Sequence, residues 1–113
     1  MNYNIINIDT IKNSMMGNDD MVKQFVGMYL SQCPVDFENL EKAVSSQSHQ
    51  DIKDAAHHIK PTMEYIGASN LRLAFQEIES MGKEKAKIEL IAEKFNVLRL
   101  QFNDMLEELK TLQ

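Results

Sequence analysis

The chain has 113 residues, 43% hydrophobic and 26% charged, with a formal net charge of −5, which supports one domain with a real core and no more. The negative balance argues against non-specific nucleic-acid binding, which depends on cations that neutralise phosphates. A lone cysteine, Cys33, excludes an internal disulfide and a cysteine-based zinc site, and no apolar run reaches the about 18 residues of a membrane span. The segment from Met1 to Asp9 lacks the basic and apolar regions of a secretory leader, so a cytoplasmic location is expected. Strand-like alternation and internal repeats are both missing from the sequence. The expected fold is all-α: residues 1–113 form a single domain, an antiparallel four-helix bundle with a short extra N-terminal helix packed across it.

In chain order, Asp9 reads as the N-cap of a short helix running to about Met16 and ended by Gly17. Asn18 or Asp19 caps a longer one, with Val22, Phe25, Val26, Tyr29 and Cys33 on one face. Pro34 either ends or kinks it, and Phe37, Leu40, Ala43 and Val44 carry a helical stripe on to about Ser46. The Ser46–His49 segment reads as a loop, and Ser48 with Asp51 resembles a capping box that opens the central helix. There Ile52, Ala55, Ala56, Ile59, Met63 and Ile66 form one buried stripe. Gly67 ends this helix in a left-handed conformation. Ser69 caps the next, whose apolar face is Leu71, Ala74, Phe75, Ile78 and Met81, and Gly82 stops it. In the last helix Ile88, Ile91, Phe95, Leu98, Phe102, Met105, Leu109 and Leu112 alternate three and four apart, a seam suited to a left-handed bundle. Most of the eight methionines fit core stripes; Met15, Met16 and Met21 are less clearly assigned and border a candidate docking face.

On the central helix, at about 100° per residue, His57 falls roughly 150° from the centre of the buried stripe and points at solvent. Lys60, Pro61 and Glu64 are placed on the same outer side, while His58, roughly 110° off, is read as a partly buried boundary residue. A neutral imidazole is a nucleophile near neutral pH and takes a phosphoryl group on one ring nitrogen. A lysine three residues on neutralises the charge that arrives. The next position must be slim, so that a second protein can bring its phosphate close, and Pro61 carries little bulk. Metal binding is disfavoured, because His57 and His58 are adjacent and cannot face one ion from one helical side, and Lys60 would repel it.

The string Ala56-His57-x-Ile59-Lys60, with Gly67 ten residues after the histidine and then Leu71, resembles the histidine-phosphotransfer (HPt) domain of bacterial two-component phosphorelays. Phe25, Tyr29, Pro34, Leu40 and Ala43 look like that family's upstream helical pattern, and the resemblance covers roughly residues 10 to 110. Where the family usually has glycine after the lysine, this chain has Pro61. The resemblance implies a phosphorelay intermediate, in which His57 accepts a phosphoryl group from a receiver-domain aspartate and passes it to another receiver. It implies charge neutralisation by Lys60, imidazole orientation by Glu79, and a docking surface that includes Pro61, Glu64 and His58. The implied partners are receiver domains of response regulators or a hybrid sensor histidine kinase. This chain is expected to be a monomer with no cofactor or metal of its own, Mg²⁺ being held by the receiver. No nucleotide-binding motif is present, so ATP-dependent kinase activity is not expected. The alternative is a non-catalytic helical protein–protein interaction module.

Overall fold

The computed structural model describes residues 4–113. Five helices follow one another: α1 (Ile8–Ser14), α2 (Asp19–Ser45), α3 (His49–Tyr65), α4 (Ser69–Lys83) and α5 (Ile88–Lys110). The last four form the bundle. α3 packs between α2 and α4, α5 closes the ring against the same two helices, and α1 lies across α2 and α3. Connections of three or four residues leave consecutive bundle helices no choice but to run antiparallel. The expected all-α bundle with a short leading helix is therefore what forms, and no helix among the described residues is long and apolar enough to cross a membrane.

The core follows the sequence periodicity. Ile91, Phe95, Leu98, Phe102, Met105 and Leu109 of α5 are all buried. At its centre Phe37 of α2 stacks on Phe102 at 4.2 Å and on Phe95 at 4.8 Å, and Phe75 of α4 meets Phe102 edge-on. Such ring pairs add to the burial of their large apolar area. Cys33 is buried beside them, and burial, with the nearby Asp36 charge, pushes its thiol up to about 12, which leaves it inert.

Several helix ends differ from the sequence reading. Asn7, not Asp9, caps α1, its side chain accepting from the Thr10 N–H. The chain turns into α1 two residues earlier than the Asp9 reading allows, which places Asp9 inside the first turn, where a carboxylate is still favoured by the helix dipole. Asn18 caps α2, and Pro34 lies inside a single continuous helix, exposed to solvent where its missing N–H costs least. Only half of a capping box opens α3: Ser48 Oγ accepts from the Asp51 N–H, while the Ser48 N–H bonds the Ala43 carbonyl. His49 is the first residue of α3, not a loop residue, and its Nε2 lies 2.7 Å from the Ala86 carbonyl. Ala68 rather than Ser69 occupies the N-cap of α4 and makes no side-chain bond.

Two glycines work by close approach. Gly67 ends α3 at φ +70°, and a Cβ there would sit 2.5 Å from the Cβ of Asn7, so α1 seats on this corner only because the residue is glycine. Gly82 does not stop α4, which runs on to Lys83, with Lys85 taking the left-handed turn at φ 57°. It is buried inside the helix, and a Cβ would come within 2.9 Å of the His49 carbonyl and 3.0 Å of the Lys53 nitrogen. This lets the backbones of α3 and α4 meet closely, and that contact holds the two helices carrying the candidate site in register.

Candidate phosphoacceptor site

α3 buries Ile52, Ala56, Ile59 and Met63. That choice of face decides what remains outside. The side chains of His57 and His58 are each 71% exposed, on opposite flanks of the helix: His57 leans toward α4 and His58 toward α2.

His57 Nδ1 lies 2.9 Å from Glu79 Oε1, twenty-two residues on. A carboxylate only accepts, so Nδ1 carries the proton and donates it, and the lone pair is left on Nε2. Glu79 is itself anchored. The Lys60 ammonium donates to its Oε2 at 3.1 Å, lies 2.8 Å from its Oε1, and donates to Gln76 Oε1 at 2.7 Å. The four side chains make one chain of contacts, running from an exposed ring to a lysine that is 16% exposed. Burial alone would raise the Glu79 carboxyl, but the hydrogen bonds and charges of Lys60 and His57 outweigh it and hold the carboxyl below the usual range.

The sign of that shift fixes a pH dependence. A carboxyl depressed in the folded state contributes stability that is fully present above its unfolded pKa and is lost as pH falls through its folded one. Urea melts of the native protein and of Glu79→Gln, at neutral pH and at steps below pH 5, should therefore converge as the medium becomes acidic. A difference that stays constant over that range would remove Glu79 from the charge network.

The structure brings His57, Glu79 and Lys60 together, but with Lys60 placed otherwise than the sequence reading had it. Lys60 is about 90° from the centre of the buried stripe, on the flank α4 covers, so its ammonium is drawn in against Glu79 and Gln76 instead of standing in solvent. His58 is not a packing residue. It is as exposed as His57, and its Nε2 lies 3.6 Å from Asp36 Oδ1, because the surface of α2 at that level leaves an open groove lined by Asp36, Asp51 and Asp54. Pro61 is exposed and Glu64 is exposed with Arg72 at 3.6 Å, both on the rim of the site and outside the His57 network. Met15 is buried, Met16 is fully in solvent, and Met21 lines a cleft with Phe25, Met28 and Tyr65.

Two residues went unread in the sequence. Gln76 had a usable signal, since it lies one turn before Glu79 on the same face of α4. Asp36 had one too: it lies three residues after Cys33 and four before Leu40, on the buried stripe of α2, where it is 5% exposed and accepts from the Gln32 side-chain amide. Among the described residues no group of three or more His, Cys, Asp or Glu side chains is placed to hold a metal ion.

Comparison with known proteins points the same way. Residues 24–112 match the family model of the Hpt domain. The crystal structure of histidine-containing phosphotransfer protein B from Pseudomonas aeruginosa PAO1 superposes with a TM-score of 0.66. It shares 16% identity, over 95% of this chain and 98% of that one, a likeness of fold. No curated protein matches the sequence.

Proposed function

The chain belongs to the Hpt-domain family, and from that premise we propose that it carries phosphoryl groups on His57 between receiver domains. The observation that carries this reading is the 2.9 Å contact between His57 Nδ1 and Glu79 on an exposed helix face. It leaves Nε2 as the unprotonated nitrogen with open access. In the forward step the Nε2 lone pair attacks the phosphorus of an aspartyl phosphate in line. An N–P bond forms, the P–O bond to the aspartate breaks, and its electron pair returns to that carboxylate. The imidazole keeps its Nδ1 proton and becomes cationic, and Glu79 faces the new charge. The reverse step uses the same atoms. Lys60 keeps a positive charge beside the site as the phosphoryl group arrives.

No step asks the chain for a metal of its own: Mg²⁺ belongs with the receiver, and positioning accounts for this domain's share of the rate. The test is incubation with a phosphorylated receiver domain. Acid-labile, base-stable label on the chain supports the reading, while a receiver that binds without passing label favours an interaction module.

Pro61 supplies a second check on the docking side. It sits one turn beyond His57 on the exposed face and offers no N–H to the His57 carbonyl. Pro61→Gly should keep transfer within about tenfold, or roughly 1.4 kcal/mol of barrier. Pro61→Ala should stabilise the fold by restoring the helical hydrogen bond. Pro61→Arg should fold well and transfer poorly, since its side chain rises into the path of the partner's phosphate. Native rates in Pro61→Arg would place the docking surface elsewhere.

A further inference from the structure

We propose that Gln76 is a positioning residue for the His57 site, acting through Lys60; the inference rests on the phosphotransfer reading and adds to it a residue outside the sequence motif. An ammonium has three N–H donors. At Lys60 one reaches Gln76 Oε1 at 2.7 Å and a second reaches Glu79 Oε2 at 3.1 Å. Gln76 and Glu79 stand three residues apart on α4, so both project from one face toward α3 and converge on the same nitrogen.

Both acceptors are needed for a fixed geometry. Lysine ends in a compact charge on a flexible four-carbon stem, and one contact leaves it several rotamers. Held from two sides, the ammonium stays against Glu79 and neutralises it. Glu79 in turn has one oxygen committed to His57 Nδ1 at 2.9 Å. If Lys60 swings away, that carboxylate loses its counter-charge and its anchor, and the tautomer that frees Nε2 is less firmly set. The chemistry of Gln76 suits the task, because an amide oxygen holds the ammonium without adding a second negative charge near an arriving phosphoryl group.

The test uses the full chain and three variants: Gln76→Met, Lys60→Ala and the double substitution. Phosphoramidate serves as a donor with no docking surface, alongside a phosphorylated receiver domain. Gln76→Met should slow acceptance from both donors by about tenfold, the weight of one hydrogen bond to a charged group. In the Lys60→Ala background the same substitution should slow it less than about twofold, since residues that act through one contact are not additive. A merely structural amide would not produce that coupling. Nitrogen NMR of the His57 ring gives an independent reading: a single Nδ1–H tautomer in the native chain, and averaged tautomers in Gln76→Met. Native rates in Gln76→Met, or equal slowing in both backgrounds, overturn the proposal. If the native chain accepts from neither donor, the phosphotransfer reading fails separately. The ring spectra then decide for Gln76: an unchanged tautomer overturns its positioning role and an averaged one upholds it.

Discussion

A His57→Gln chain is expected to take up no phosphoryl group from a phosphorylated receiver domain, while melting within a few degrees of the native protein. The two halves of that result have different causes. Acceptance depends on the Nε2 lone pair, and a glutamine amide has no nucleophilic nitrogen to replace it. Stability depends little on the ring, because its side chain is 71% exposed and its contact with Glu79 is a surface pair, of a kind that contributes about 0–1 kcal/mol. Glu79 also keeps its bonds from Lys60 when the ring is gone. His58→Gln is the control. That ring is equally exposed but faces Asp36 across the α2 side, so its loss should leave most acceptance intact. Radiolabel transfer with acid and base treatment, run beside thermal melts, measures both halves. Label retained by His57→Gln and lost by His58→Gln would move the acceptor to the other flank of α3.

What the sequence made legible divides along the same physical line. The seam of α5 was readable because seven apolar residues, from Ile88 to Leu109, recur at three and four, and any other arrangement would expose several of them. His57 was readable as an exposed residue for the same reason, since the stripe from Ile52 to Ile66 leaves only one side for it. The limits came where a second helix decides the outcome. Lys60 lies at the edge of its helix's buried face, and its exposure is set by how closely α4 approaches. That approach is itself set by Gly82, which a single-helix reading takes for a stop signal. Caps failed differently. Asn7 and Asp9 are both good N-cap residues, and Asn7 wins because its N–H bonds the Ile66 carbonyl, which ties the start of α1 to the end of α3. No local pattern announces that contact. The site follows suit: His57, the proposed nucleophile, was visible on one helix, whereas Gln76, Glu79 and Lys60 form a network only after two helices have docked.

Phe102→Ala is expected to destabilise the fold far more than His57→Gln or His58→Gln, and to act without touching the site. Its ring is 1% exposed and holds together three helices: it stacks on Phe37 of α2 at 4.2 Å and 12°, and meets Phe75 of α4 edge-on at 88°. Removing a buried phenylalanine ring forfeits its transfer free energy and leaves a cavity that stiff neighbours fill poorly, a loss of about 3–5 kcal/mol. The neighbours of Phe102 are other rings locked in mutual contact, which argues for the upper half of that range. Set against a total stability of about 5–15 kcal/mol for a domain, the change is severe. At roughly 4–8 °C per kcal/mol in small domains, the melting point should fall by well over ten degrees. Gln101→Ala is one residue away but exposed, and should cost under about 0.5 kcal/mol. Phe102→Leu keeps an apolar group in the same space and should fall between the two. Because His57, Glu79 and Lys60 are held by the α3–α4 contact rather than by the ring cluster, Phe102→Leu should still transfer phosphate at near-native rate below its melting point. Denaturant melts of the three variants, with transfer measured on Phe102→Leu, decide the matter. Equal melts for Phe102→Ala and Gln101→Ala would mean that the aromatic cluster is not where the bundle keeps its stability.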